Sequence, residues 1–290
     1  MPADSDAPAA LDEVLGIVAS DVRLDILEAA WESAPAPATF SALHSRVGLR
    51  DSGTFNYHLD QLVPRFLRKG EDGYALTYAG RQAIGAAVSG RFTDADAVAV
   101  GPVAAGDCFR CDGDAEARYA DGAITVDCAD CGEILAEMPV PPVTVAAVDP
   151  PELPAVFSRH LLTRTQRLDR GFCTLCHGRV DASLTGDSDA DAATYRSLLD
   201  VRFECRQCGV RSSLNVGAVL MDHPAIISLL HDVGIDLRET YVWEVPSLLD
   251  PEAAVTSEEP LRLDLTVSIA GEAVRVTVDE TASVLETTRL

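Results

Sequence analysis

The eight cysteines are the residues with the clearest chemistry, because they form four C-x-x-C pairs. A C-x-x-C turn directs two thiolates at one metal ion, and two such turns complete a tetrahedral site of four sulfurs. Sixteen residues separate the two pairs of the first block and twenty-eight separate those of the second. This spacing predicts two structural zinc ions, one bound by Cys108, Cys111, Cys128 and Cys131 and the other by Cys173, Cys176, Cys205 and Cys208.

Three other uses of the cysteines stay open: an iron–sulfur cluster, a thiol redox switch, and ligation that combines cysteines of both blocks. Four regular pairs disfavour the switch, which needs an exposed, activated pair near a partner thiol. His177 follows Cys176 and is expected beside the metal or in solvent rather than as a fifth ligand. His223 and His231 bracket an apolar segment, as helix caps and surface residues do, and are not expected to bind metal.

No motif of catalysis is present in the sequence. It contains no P-loop, G-x-G-x-x-G fingerprint, nucleophile elbow or H-E-x-x-H motif. Four cysteine ligands also leave zinc no open position for a water molecule. We therefore expect that the protein is not an enzyme.

Each cysteine block is expected to fold as a zinc ribbon, in which β-hairpins carry the metal-binding turns. The sequence EARYADGAITVDC reads as a strand, an Asp-Gly turn and a second strand. We place the ribbons at residues 108–138 and 172–212, the second with an acidic insertion at 186–195. Modules this small bury little apolar surface, so the metal would supply folding free energy.

Residues 11–90 carry the order of elements of a winged helix-turn-helix. Apolar residues at three- and four-residue steps predict a helix over 11–33, a short second helix, and a third helix that buries Phe55 and Leu59. RKGEDGYALTYAGR then reads as two strands joined by a tight turn, followed by a last helix. The runs SGTFNYHLDQLVPRFL and DGYALTYAGR resemble the ArsR-like winged-helix domains common in haloarchaea. The resemblance implies DNA binding, but a metal-sensing role does not follow, because residues 1–107 contain no cysteine.

A local excess of positive charge supports a DNA-binding role for this segment. Residues 41–81 contain six basic and four acidic side chains within a chain of net charge −23. Base edges are read by amides, hydroxyls and guanidinium groups, and phosphates are contacted by basic side chains. The candidate DNA-contact residues are Ser52, Thr54, Asn56, Tyr57, His58 and Gln61 on the third helix, with Arg46, Arg50, Arg65, Arg68 and Lys69 around it. The alternative is a winged helix that contacts protein, with these side chains solvated.

The overall composition is acidic: 46 Asp and Glu face 23 basic residues, of which Lys69 is the only lysine. Together with few aromatic residues, this composition resembles that of proteins from salt-loving archaea, whose acidic surfaces stay solvated in concentrated salt. Residues 82–290 carry about −18, which disfavours broad phosphate binding there. No apolar run is long enough to span a membrane, and no signal peptide is recognisable, so a cytoplasmic protein is expected.

The remaining segments complete an α+β organisation. We expect a disordered tail at 1–10, a linker at 91–107, and a proline-rich linker with a helix at 139–171. Residues 213–290 are expected to form a small α+β region with one helix and one final β-hairpin. Tyr241 and Trp243 are expected on a strand with their side chains in the core, followed by an acidic loop at 246–260.

These features predict a sequence-specific transcriptional regulator that binds double-stranded DNA as a homodimer, since paired winged helices read symmetric half-sites. The main alternative is an adaptor of the transcription machinery, resembling archaeal transcription factor E in joining a winged helix to a zinc ribbon. A thiol redox sensor is a third possibility.

Overall fold

The computed structural model of the protein describes residues 11–92, 98–185 and 200–290. The chain forms two compact units: unit 1 comprises residues 1–94 and 141–143, and unit 2 comprises residues 95–140 and 144–290. The predicted tail at 1–10 and the acidic insertion at 186–195 lie outside the described residues. In the parts of the chain that the structure covers, no helix is long and apolar enough to cross a membrane.

Unit 1 contains five helices and one antiparallel β-hairpin among its described residues. They are α1 (Leu11–Val18), α2 (Asp21–Ser33), α3 (Phe40–Val47), α4 (Ser52–Leu62), β1 (Leu67–Gly70), β2 (Gly73–Leu76) and α5 (Tyr78–Val88). The single helix expected over 11–33 is therefore wrong, because the chain breaks between α1 and α2. Ser20 has extended backbone angles there and precedes α2 as its N-cap.

Side-chain caps fix where the helices of unit 1 begin. The Thr39 hydroxyl accepts the Ala42 N–H at the start of α3, and the Thr77 hydroxyl accepts the Gly80 N–H at the start of α5. The Asp51 carboxylate accepts two N–H groups of the first turn of α4. Each cap satisfies donors that a helix start leaves without intrahelical partners. The core beneath them is formed by Ile26, Leu27, Leu43, Phe55, Leu59 and Leu62, all at most 1% exposed.

The first cysteine block lies in a four-stranded antiparallel sheet of unit 2. Its strands are β3 (Val100–Asp107), β4 (Asp114–Ala120), β5 (Ala123–Cys128) and β6 (Ile134–Pro139), paired in chain order. Residues 100–107 were expected in a linker but form the first strand instead. The strand is irregular, with register shifts after Val100 and after Ala104, and this irregularity explains why no alternating pattern marks it.

A helical segment connects the first sheet to the second. It consists of α6 (Val143–Ala146), a 3-10 turn (Pro150–Glu152) and α7 (Leu153–Asp169), and α7 confirms the helix expected within 139–171. Leu153 and Phe157 of α7 are buried in the core beside the first sheet. Leu168 is buried in the core of the C-terminal half. This one helix therefore contributes to both cores of unit 2.

The second cysteine block forms a three-stranded antiparallel sheet, and a four-stranded sheet ends the chain. The second sheet contains β7 (Val180–Thr185), β8 (Asp200–Cys205) and β9 (Arg211–Asn215). After it come α8 (Val216–Leu220), α9 (Pro224–Asp232), a 3-10 turn (Val242–Glu244) and α10 (Pro246–Leu249). The final sheet contains β10 (Glu252–Glu258), β11 (Leu261–Ile269), β12 (Glu272–Asp279) and β13 (Val284–Arg289).

Four expectations for the C-terminal region need correction. The single helix expected there is wrong, because α8, α9 and α10 are all present. The predicted hairpin is present as β11 and β12, but β10 and β13 extend it to four strands, and β10 replaces the expected acidic loop. Trp243 lies on the 3-10 turn and Tyr241 is the N-cap of that turn, so neither lies on a strand. Trp243 is 1% exposed, and its indole N–H donates to the Ala105 carbonyl at 2.8 Å. The expected burial of Trp243 is therefore confirmed, although its secondary structure is not.

Candidate metal centres and nucleic-acid surface

Four similar turns carry the cysteines of the two sheets. In each turn the residue directly after the second cysteine of the pair has a left-handed backbone: Asp112, Gly132, His177 and Gly209, with φ between 56° and 72°. The N–H of that residue donates to the carbonyl of the first cysteine, at 2.9–3.2 Å. Glycine adopts this conformation without steric cost, while aspartate and histidine tolerate it better than most residues. His177 thus has a structural place in its turn.

The cysteines of each block converge into one cluster. Their sulfur atoms all lie within 4.8 Å of one another in the set Cys108, Cys111, Cys128 and Cys131, and equally in the set Cys173, Cys176, Cys205 and Cys208. The predicted grouping by block is confirmed, and ligation that combines the two blocks is excluded. None of the eight thiols forms a disulfide.

The sulfur–sulfur distances fit a single tetrahedral metal ion. The Sγ atoms of Cys108 and Cys131 are 3.8 Å apart, and those of Cys111 and Cys128 are 3.5 Å apart. The second cluster repeats these values, 3.8 Å for Cys173 and Cys208 and 3.5 Å for Cys176 and Cys205. A Zn–S bond of about 2.3 Å gives a tetrahedral edge of about 3.8 Å. Both clusters can therefore hold an ion of the size of zinc without rearrangement.

Backbone N–H groups stabilise thiolate in each cluster. The Cys131 N–H donates to Sγ of Cys128 at 3.4 Å, and this bond lowers the pKa of Cys128 to about 7. In the second cluster the backbone N–H of Cys208 lowers the pKa of Cys205 to about 6. Metal ions bind the deprotonated thiol. In the same clusters, a backbone N–H bond to Cys111 and to Cys208 is outweighed by hydrogen bonds with neighbouring thiols and by burial, which raise the pKa of both thiols to about 12. The folded turns thus favour thiolate at Cys128 and Cys205, and a metal ion would displace the protons of Cys111 and Cys208.

Each pair has one buried and one exposed cysteine. Cys108, Cys128, Cys173 and Cys205 are buried, and their partners Cys111, Cys131, Cys176 and Cys208 are exposed. Two sulfurs of each cluster are therefore buried against the sheet, and the other two are accessible to solvent. Small chelators can approach both sites from outside.

The two histidines considered as ligands have other positions. The His223 ring accepts the Ala225 N–H at 3.2 Å and caps α9, as the sequence predicts. His231 lies in the last turn of α9. Neither belongs to a group of metal-binding side chains among the described residues.

One polar residue near the second cluster was missed by sequence reasoning. Arg164 of α7 is half-buried, and its guanidinium donates to the Ser212 hydroxyl at 3.1 Å. Desolvation lowers the pKa of Arg164, while the nearby Cys173 thiolate raises it. Arg164 therefore places positive charge near the Cys173 sulfur of the second cluster. Its only sequence signal is a position nine residues before Cys173.

The outward face of α4 carries the predicted base-reading residues. Ser52, Thr54, Asn56, Tyr57 and Gln61 are exposed, and His58 is half-buried. The Asn56 amide donates to the Asp60 carboxylate at 2.9 Å, which orients it along the helix surface. Thr54 is occupied by the cap, because its N–H and hydroxyl both donate to Asp51.

The predicted phosphate-contacting residues divide into two groups. Arg46 forms an ion pair with Glu32, and Arg65 forms one with Glu13 at 3.0 Å. Arg50, Arg68 and Lys69 are exposed and form no ion pair with another residue in the described part of unit 1. The ammonium group of Lys69 lies 5.7 Å from the centre of the Tyr74 ring, across the hairpin. These three cations are the ones most available to a ligand.

Comparison with known proteins yields two family matches. Residues 11–87 match the family described as Domain of unknown function (DUF7347), and this range coincides with the described core of unit 1. No curated protein and no solved structure matches the chain. Residues 105–284 match the family described as Domain of unknown function (DUF7351), a range that holds both cysteine clusters and more than half of the sequence. The chain therefore belongs to the DUF7351 family.

Proposed function

We propose that the protein is a DNA-binding transcriptional regulator that reads double-stranded DNA through unit 1. In this proposal α3 and α4 are the helix-turn-helix, the β1–β2 hairpin is the wing, and α4 enters the major groove. The order of helices and hairpin in unit 1 supports this assignment. A groove-reading helix needs one apolar face for the core and one polar face for base edges.

The observation that carries the proposal is the composition of the exposed face of α4. Asn56 and Gln61 present amides, which pair with adenine in two hydrogen bonds, and Ser52 presents a hydroxyl. To read adenine, Asn56 would exchange its bond to Asp60 for bonds to the base. Arg50 precedes the helix and Arg68 lies on the hairpin, where each can contact a phosphate.

We further propose that both cysteine clusters bind zinc as closed structural sites. Four sulfurs at these distances suit one tetrahedral zinc ion. In an iron–sulfur cluster the cysteine sulfurs bind different iron atoms and therefore lie farther apart. Bound zinc would tie β3 to β5 and the start of β7 to β8, and its binding free energy would contribute to the folding of unit 2.

The test is selection of bound duplexes from a random DNA library with the full chain, followed by affinity measurement on the enriched site. Asn56→Ala and Gln61→Ala should each reduce the preference for that site by about 1–3 kcal/mol. Gln82→Ala is a matched control, because Gln82 is an exposed amide on α5, outside the proposed reading helix. Enriched sites with two symmetric half-sites would support binding as a homodimer.

The same experiment separates the regulator from the adaptor. The regulator predicts that one motif is enriched, that the Asn56→Ala and Gln61→Ala variants lose this enrichment, and that Gln82→Ala retains it. A library without enrichment, combined with co-purification of RNA polymerase, would support the adaptor and refute base reading by α4.

A further inference from the structure

Opposite charges distinguish the two cysteine-bearing parts of unit 2. The first sheet, residues 100–139, contains nine acidic and two basic side chains. By contrast, residues 153–215, which include α7 and the second cysteine block, contain nine arginines and seven acidic side chains. The net charge of residues 82–290 conceals this difference, because it adds the charges of an acidic part and a weakly basic part.

Backbone contacts bring several of these residues together beside the second cluster. The Phe172 N–H donates to the Arg167 carbonyl at 3.0 Å, and Phe172 pairs with Arg179 in an antiparallel bridge. The Arg206 N–H donates to the Arg179 carbonyl at 2.9 Å. Leu175 lies in the same cysteine turn that follows Phe172. We call Arg167, Phe172, Leu175, Arg179 and Arg206 the arginine–phenylalanine patch.

The patch exposes apolar surface among its cations. Phe172 is 49% exposed and Leu175 is 64% exposed. Both are large apolar side chains at positions where solvent would favour polar ones. Residues paired across an antiparallel bridge have side chains on the same face, so the Phe172 ring and the Arg179 guanidinium share one side. Arg206 is paired with Asp181 but keeps 67% of its side chain exposed. The Arg206 guanidinium donates to both carboxylate oxygens of Asp181, so contact with a phosphate would require this pair to open.

We propose that the arginine–phenylalanine patch binds single-stranded nucleic acid. Unpaired bases stack on exposed aromatic and apolar side chains, while arginines contact the phosphates between them. In a duplex the base faces are already stacked on one another, so an exposed Phe172 would find no partner there. The proposal concerns unit 2 and is independent of base reading by α4.

The test uses the full, metal-loaded chain and fluorescence anisotropy with labelled oligo(dT), oligo(U) and a mixed-sequence duplex, over a series of salt concentrations. Phe172→Ser should weaken binding of the single strands by about 5-fold to 150-fold, and Phe172→Tyr should retain it. Arg179→Gln and Arg206→Gln should each reduce the slope of log affinity against log salt by about 0.7. Oligo(dU) is added because oligo(dT) and oligo(U) also differ in the 5-methyl group of the base, and its comparison with oligo(U) shows whether the 2′-hydroxyl contributes.

Arg238→Gln is the matched control, because Arg238 is exposed and paired with Asp236 much as Arg206 is paired with Asp181. It removes the same charge outside the patch and should leave single-strand binding unchanged. Unchanged metal content in every variant shows that the second cluster is intact. Asn56→Ala should change only the affinity for the duplex and not the affinity for the single strands. A failure of this proposal can therefore be distinguished from a failure of base reading by α4.

Three results would overturn the proposal. The first is no binding of any single strand at low salt, and the second is equal affinity of the wild-type protein and Phe172→Ser. The third is salt-dependent self-association that Arg179→Gln abolishes, which would assign the patch to the acidic surface of a second copy.

Discussion

Replacement of Trp243 by phenylalanine should destabilise unit 2 and loosen the first metal site. The indole N–H donates to the Ala105 carbonyl at 2.8 Å, and Ala105 is fully buried. Ala105 lies where the register between β3 and β4 is interrupted, three residues before Cys108. Trp243 thus supports the segment of chain that leads into the first cysteine turn.

The expected loss of stability has two parts. Phenylalanine cannot donate a hydrogen bond, so the buried Ala105 carbonyl is left unpaired at a cost of about 1–3 kcal/mol. The smaller ring also leaves a cavity beside Phe157 and Tyr241, whose rings have their centres 5.9 and 5.0 Å from that of Trp243. A cavity of this kind costs roughly 1 kcal/mol. Together they predict a decrease of about 2–4 kcal/mol in the free energy of unfolding of unit 2.

The assay is urea denaturation followed by far-ultraviolet circular dichroism, with zinc in excess, together with the rate of metal release to a chromogenic chelator. Trp31→Phe is the control, because Trp31 lies in unit 1 and is 44% exposed, and it should change stability by less than about 0.5 kcal/mol. Trp243→Phe should accelerate release from the first site and leave the second unchanged. A loss below about 1 kcal/mol, or equal acceleration at both sites, would refute this assignment of Trp243.

Three further predictions follow from the metal sites and the helix ends. Cys111→Ser and Cys176→Ser should each reduce bound zinc from two ions to one in native mass spectrometry; loss of both ions in either variant would contradict separate sites. Asp169 ends α7, and desolvation raises its pKa, so stability falls as pH rises from the ordinary to the raised pKa. Asp169→Asn should therefore stabilise unit 2 by about 0.3–1 kcal/mol at neutral pH. In acid it should have no effect, because protonated aspartate and asparagine are both uncharged. Destabilisation by this substitution at neutral pH, measured by thermal denaturation, would contradict the prediction. Thr77→Val should destabilise unit 1 by about 1–2 kcal/mol, because the Thr77 hydroxyl accepts the Gly80 N–H and donates to the Arg65 carbonyl at 2.6 Å. Thr77→Ser keeps the hydroxyl and should be nearly neutral in the same denaturation assay.

The metal clusters could be predicted from sequence because their geometry is local. A C-x-x-C spacing determines that two sulfurs face one point, and only the pairing of the turns depends on the fold. The hairpin at 67–76 was predictable for a similar reason, since its turn residues and flanking strands are contiguous.

The strands that sequence reasoning missed have weak or interrupted patterns. In β10 nearly every residue is exposed, so no alternation distinguishes this edge strand from a loop. In β3 the register shifts disturb the alternation, and Pro102 suggests a break. The arginine–phenylalanine patch was hidden for a different reason. Its residues come from α7, from the segment around the first cysteine turn of the second block, and from the turn after β8, and only the fold brings them together.

Genome-wide DNA occupancy of the full chain is the measurement that tests the central claim most directly. A regulator that reads DNA through α4 predicts discrete promoter peaks that share one motif, are lost in the Asn56→Ala, Gln61→Ala double variant and persist in Gln82→Ala. Peaks that the double variant leaves unchanged, or occupancy that only follows RNA polymerase, would contradict the account.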